Sequence, residues 1–195
     1  FRRPLRRAGK IIRPVMMRFL TTVLDPDADV FKEGAILVNK RGERIDDVGD
    51  SPNIQIPRQP DGLANIVFDE TFARKFSQWP NFISTAPGVA FAYVEDYRAA
   101  RPDLFNVGAT LPELARVAGF DTGRLSTSIQ AANVGRPEAE KLSTGPFYAL
   151  GPVKTWVLVV TVGMSVNTDF EVLTDDGQVI PGLYVVGHTG MRGFT

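Results

Sequence analysis

There is no cysteine among the 195 residues. Disulfides, thiolate metal centres and cysteine nucleophiles are excluded together, and the redox compartment is left open. Histidine occurs once, at His188. No GxSxG, HExxH or metal-ligand cluster is present, so hydrolase and zinc chemistry have no support and no metal site is assigned. No GxGxxG follows any strand-like run, so the dinucleotide fingerprint is missing from these residues. Acidic side chains are absent from residues 1–24, which carry seven basic ones, although the chain as a whole has zero formal net charge. The remainder is therefore net acidic. No apolar run is long enough to span a membrane, because Arg13 and Arg18 interrupt the first one. A signal peptide is excluded too, since no small-residue cleavage site follows, and the expected setting is cytoplasmic.

Hydrophobic residues make up 44% of the chain, enough to build a core. The C-terminal part holds the most ordered pattern. Thr174-Asp175-Asp176-Gly177 separates two apolar runs and predicts a hairpin, with Gly177 at the position needing positive φ. Ile180-Pro181-Gly182 reads as a second corner. Leu183 to Val186 is a continuous apolar run, the pattern of a strand buried on both faces in a mostly parallel sheet. It ends at Gly187, where no side chain would obstruct a ligand.

Further upstream, Leu5, Ile12, Met16, Phe19 and Val23 suggest an amphipathic helical segment. Its basic residues Arg2, Arg3, Arg6, Arg7 and Lys10 could touch an anionic membrane; a solvated or domain-packed face is the preferred reading. Asp25, Asp27 and Asp29 alternate like a calcium loop, but Val30 and Ile36 stand where glycine and glutamate are needed, which leaves a loop with helix-capping acids. Asp46, Asp47 and Asp50 form a carboxylate cluster read as a solvated loop. The spacing predicts strands at 34–39 and 65–69, a short helix over 70–76, a loop over 79–88 and a helix over 89–100. In the last, Tyr93 and Tyr97 would share a face, packing in the core or touching substrate. Thr110 and Glu113 form a capping box, with Leu111, Leu114, Ala115 and Ala118 buried behind it and Gly119 as the stop. Asp121 caps a second helix with Leu125, Ile129 and Ala132 inside.

Several of these words, in this order, resemble the fumarate reductase / succinate dehydrogenase flavoprotein family, which also includes 3-ketosteroid dehydrogenases. GAILVNKRGERI at 34–45 is similar to the family's GAILVN-x-x-G-x-R-F, with Ile45 replacing the phenylalanine. TGPFYAL at 144–150 and IPGLYVVGH at 180–188 are similar to two more of its words. The resemblance covers roughly residues 14–195. It implies an α+β chain: a basic helical segment at 1–29, a capping domain with a mixed sheet and helices at 30–155, and at 156–195 the last strands of a Rossmann-like FAD-binding domain. FAD would be the cofactor and a small molecule the substrate. The partner would be an N-terminal dinucleotide-binding domain of the same polypeptide, of which this chain would be a fragment; no nucleic-acid contact is implied. Gly187, His188, Thr189 and Gly190 would lie against FAD, with His188 where the family has an acidic residue at the ribityl chain, although a lone histidine is often structural. Arg192 would match a substrate-binding arginine. Two departures speak against fumarate itself. No arginine occurs in Asp46–Asn53, where the family's proton donor lies, and the paired histidines of its HHTMGG word are replaced within Leu158–Gly163. The expected activity is flavin hydride transfer at a CH–CH bond, with no catalytic residue named. The alternative is a non-catalytic module bound through its basic N-terminus.

Overall fold

Strands rich in consecutive apolar residues need cover on both faces, and three strands buried along all or most of their length organise the first part of this chain. The computed structural model describes residues 17–22, 26–45, 52–86, 90–156, 163–187 and 189–190. The chain divides into two compact units, Phe1–Thr155 and Trp156–Thr195.

In the first unit the chain runs through α1 (Ala28–Lys32), β1 (Ile36–Asn39), α2 (Pro52–Gln55), β2 (Ala64–Asp69), α3 (Glu70–Lys75), β3 (Ser84–Ala86), β4 (Ala90–Ala92), α4 (Val94–Ala100), β5 (Phe105–Gly108), α5 (Leu111–Ala118), α6 (Thr122–Asn133) and β6 (Phe147–Val153). The main sheet has the order β1-β2-β6-β5, and each of its pairings is antiparallel. The α+β class stands, with an antiparallel sheet where a mixed one was expected.

Alternation sorts the strand residues between two cores. Leu37, Ile66, Phe68, Tyr148 and Leu150 face one cluster, together with Phe72 and Phe76. Ile36, Val38, Val67, Phe147 and Ala149 face the other, against Leu114, Leu125 and Ile129 of α5 and α6. Phe68 is completely buried, stacked on Tyr148 at 5.3 Å and tilted against Phe72 at 4.9 Å. Burial of one such ring contributes about 2–3 kcal/mol. Gly108 lets α5 approach β5: a Cβ there would overlap the backbone of Leu114.

The caps are local and explain the helix boundaries. Asp27 accepts from Asp29 N–H at the start of α1, and Asp121 from Arg124 N–H at 2.8 Å. Thr110 accepts from Glu113 N–H at 3.3 Å, but Glu113 returns its bond to Ala109 N–H, one residue before the cap. Asp69 does two jobs. It caps α3 through Phe72 N–H at 3.0 Å, and its second oxygen accepts from the amides of Ser143 and Thr144 at 3.2 and 3.1 Å.

Three expectations for this unit are corrected. The loop over 79–88 contains β3, and the segment 89–100 opens with β4; the helix starts at Val94 after Tyr93. These two strands satisfy each other's backbone as a hairpin, which outweighs helical spacing. Tyr97 is buried, with its hydroxyl 2.7 Å from Ser84 Oγ, so it packs in the core. Residues 17–22 are helical, but Met17 and Leu20 are the buried residues, while Phe19 is 65% exposed. Thr21 can be buried beside them because its hydroxyl donates to Met17 O at 2.8 Å. The carboxylates Asp46, Asp47 and Asp50 lie outside the described residues.

The second unit is built on one hairpin. β7 (Glu171–Leu173) pairs antiparallel with β8 (Val179–Tyr184). Its turn is as expected: Gly177 has φ +80° and its N–H donates to Thr174 O at 2.9 Å. Ile180-Pro181-Gly182 lies within β8 and bends it as expected: Gly182 has φ +79°, and the register slips there, with Glu171 facing Tyr184 and Leu173 facing Val179. The apolar run Leu183 to Val186 is not buried on both faces. Leu183, Tyr184 and Val186 are 41%, 61% and 70% exposed, because β8 has only the hairpin partner among the described strands.

Candidate flavin site

Past β8 the chain runs through Val185 to Gly187, and two hydrogen bonds shape that end. Val185 N–H donates to Phe170 O at 3.0 Å, and Met164 N–H donates to Thr189 O at 2.7 Å. Phe170 holds its carbonyl there with φ +63°. It is positioned in turn by Asn167, whose Oδ1 accepts from Asp169 and Glu171 N–H, both at 3.0 Å, and whose Nδ2 donates to Glu171 Oε2 at 2.8 Å. Asn167 and Phe170 carry no signal of chemistry in the sequence. Only the Asx-turn pattern Asn-x-Asp marks the loop.

The two described glycines here have opposite tasks. Gly187 has φ +69°, and no atom lies within 4 Å of where its Cβ would be. An L side chain would be strained there and would fill open space at the strand tip. Gly190 is buried; a Cβ would lie 3.0 Å from Val185 O, so the glycine lets the loop fold back on the strand. Thr189 is exposed. The described part of this tip thus offers backbone, the hydroxyls of Thr189 and Tyr184, the Tyr184 ring and the Val186 methyls, and no charge. Such a surface suits a flat, largely neutral group approached edge-on. His188, Arg192 and the Leu158–Val162 run lie outside the described residues.

A polar cluster in the first unit holds its two titratable groups away from neutrality. Tyr148 OH donates to Glu70 Oε2 at 2.6 Å, Arg74 Nε donates to Glu70 Oε1 at 2.7 Å, and Arg98 lies 5.4 and 5.5 Å from the centres of the Phe105 and Tyr148 rings. The tyrosine hydroxyl bond, then Arg74, hold the Glu70 carboxyl below its usual range. Burial, then Glu70, push the Tyr148 hydroxyl up. Both shifts move away from neutrality, the opposite of what proton transfer at pH 7 needs.

Against known proteins, the model of the FAD binding domain family matches residues 25–195. The chain belongs to that family. The residues described at the strand tip fit a flavin nucleotide: an open glycine, backbone polar groups and a neutral apolar flank. A fumarate reductase (cytochrome) from Shewanella frigidimarina is 27% identical over 79% of this chain and 26% of its own length. An NADH:acrylate oxidoreductase from Vibrio harveyi is 30% identical over 82% of this chain and 16% of its own. The chain thus spans about a quarter or less of the length of these relatives. In fold it is similar to a 3-ketosteroid Δ1-dehydrogenase from Sterolibacterium denitrificans, with a TM-score of 0.53 at 18% identity, over 80% of this chain and 33% of that one. The family's description is that of an FAD-binding domain, and the relatives' names are those of oxidoreductases. Among the described residues no helix is long and apolar enough to cross a membrane.

Proposed function

We propose that this chain is part of an FAD-dependent oxidoreductase that acts on a CH–CH bond of a small molecule, with residues 30–155 as the domain capping the substrate. Residues 156–195 then complete the flavin-binding domain, together with an N-terminal domain of the same polypeptide. The observation that carries this reading is the open, positive-φ Gly187 at the end of β8, inside the segment that matches the family. FAD, when bound, supplies hydride transfer. Gly187, Thr189 and Gly190 would hold it through backbone and hydroxyl, with His188 beside them, and Arg192 would bind substrate.

The same reading makes the enzyme something other than a fumarate reductase. Asp46–Asn53 holds no arginine, and Leu158-Val159-Val160-Thr161-Val162 has neither histidine nor charge where a dicarboxylate would need charged hydrogen-bond donors. The relatives' own names span fumarate, acrylate and a ketosteroid, so membership in the family leaves the substrate open. A basic N-terminal membrane module has less support, since Met17 and Leu20 pack into the core of the first unit.

The test is the visible absorption of the purified protein carrying its upstream sequence. A bound flavin band is expected, and Gly187→Val should weaken FAD retention by about tenfold or more, given ~1–2 kcal/mol of left-handed strain plus lost space. A colourless protein that cannot be loaded with FAD would overturn the proposal.

A further inference from the structure

The two hydrogen bonds at the strand tip, Val185 N–H to Phe170 O and Met164 N–H to Thr189 O, are joined by one stretch of chain, Met164 to Phe170. That stretch runs alongside β7. Leu173 N–H donates to Ser165 O at 2.8 Å, Val166 pairs with Val172, and Asn167 N–H donates to Glu171 O at 3.1 Å. It grips the tip from both ends, and its own shape is set at Phe170. A φ of +63° strains a bulky side chain. Phe170 is 50% exposed, so burial of the ring does not explain why the strain is kept. Asn167 does. The N–H groups of Asp169, Phe170 and Glu171, three residues in a row, all end on it: Phe170 on its main-chain O at 3.1 Å, the other two on its Oδ1 at 3.0 Å. Its Nδ2 donates to Glu171 Oε2 at 2.8 Å, which fixes the amide group. Strain of this kind persists only where the surroundings over-determine it, and it gathers at functional sites.

We propose that Asn167 is a positioning residue for FAD: by holding Phe170 left-handed it aims the Phe170 carbonyl at Val185 and sets the backbone at Gly187, Thr189 and Gly190 before the cofactor arrives. The inference rests on the flavin reading of the strand tip. Asn167 acts through Phe170 and Val185 and takes no contact with the cofactor itself. Backbone already in its bound conformation loses less freedom on binding than backbone the ligand must order. Loosening the loop therefore weakens binding although no contact to FAD is removed.

The experiment is a double-mutant cycle on the protein carrying its upstream sequence, read first without FAD and then by fluorescence titration with it. In the apoprotein, Asn167→Ala should speed amide exchange at Val185 by about tenfold or more, while the Phe68 amide in the core of the first unit exchanges as before. The FAD dissociation constant should rise about tenfold. In a Phe170→Gly background the same substitution should raise it less than about threefold, because glycine takes a positive φ without strain and no longer depends on Asn167. A side chain that only stabilises the fold would cost the same in both backgrounds. Should Asn167→Ala not fold, Asn167→Ser, whose hydroxyl supports such a turn more weakly, is read in the same cycle, with a smaller loss that Phe170→Gly again abolishes. The proposal is overturned if Val185 exchange does not change, if it quickens while FAD affinity stays within about twofold, or if the loss is equal in the two backgrounds. Any of these with FAD bound to the wild type overturns this inference alone; a wild type that cannot be loaded with FAD overturns the flavin reading and this inference with it.

Discussion

The two units treat their apolar residues in opposite ways. The four-stranded sheet of the first is covered on both faces, and Ile66, Val67, Phe68 and Ala149 are completely buried. The hairpin of the second buries Val172 but leaves Phe170, Leu183, Tyr184 and Val186 at least 41% exposed. A lone two-stranded hairpin is marginal in water. The first unit therefore carries its own stability, whereas the second presents apolar surface to something else, which under the proposed function is the flavin and the rest of its domain.

The sharpest way to break that contrast is Phe68→Ala. It empties the centre of an aromatic group formed with Phe72, Phe105 and Tyr148. We expect a loss of about 3–5 kcal/mol in urea unfolding of the first unit; a loss below about 1 kcal/mol would mean that the sheet is not the core described. Asp69→Ala should follow at about 3 kcal/mol, because it removes a helix cap and leaves the Ser143 and Thr144 amides without their acceptor. Asp69→Asn, which keeps one acceptor oxygen, should lose less. Tyr148→Phe should cost about 1 kcal/mol and change the pH profile. Glu70 titrates below its unfolded value in the folded protein, so its contribution is present above 4.5 and is lost as pH falls through the lower folded value. With the tyrosine hydroxyl gone, that acid-side loss should shrink, and an NMR titration should show the Glu70 carboxyl moving up. Leu183→Ala, at the other extreme, should stay within about 0.5 kcal/mol for the chain by itself, since the side chain is already exposed. A large loss there would show that the hairpin buries this residue within the chain.

Legibility in the sequence followed the same division. GAILVN, NIVFD and the α5–α6 pair could be read because their signals are local: unbroken apolar runs, Thr110 and Asp121 as caps, Gly119 at φ +75° as a stop. The β3–β4 hairpin could not, because Ser84-Thr85-Ala86 and Ala90-Phe91-Ala92 are short and small and become strands only by pairing with each other. The phase of residues 17–22 was missed for a related reason. Hydrophobicity alone favours Phe19, whereas the core surface selects Met17, Leu20 and a Thr21 that satisfies its own hydroxyl. Leu183 to Val186 reads as an apolar strand but not as an exposed one, since an apolar run calls for a cover without saying which residues provide it. At the strand tip, Gly187 and Gly190 could be named from spacing and resemblance; the Asn167–Phe170 loop that fixes their backbone could not, because its role lies in main-chain hydrogen bonds.

The central claim is that FAD lies against the end of β8. Amide hydrogen exchange of the protein carrying its upstream sequence, with and without FAD, tests it most directly. The account predicts strong added protection across Tyr184–Gly190 and the Met164 amide that bonds Thr189. Unchanged exchange in that segment with FAD demonstrably bound would contradict it.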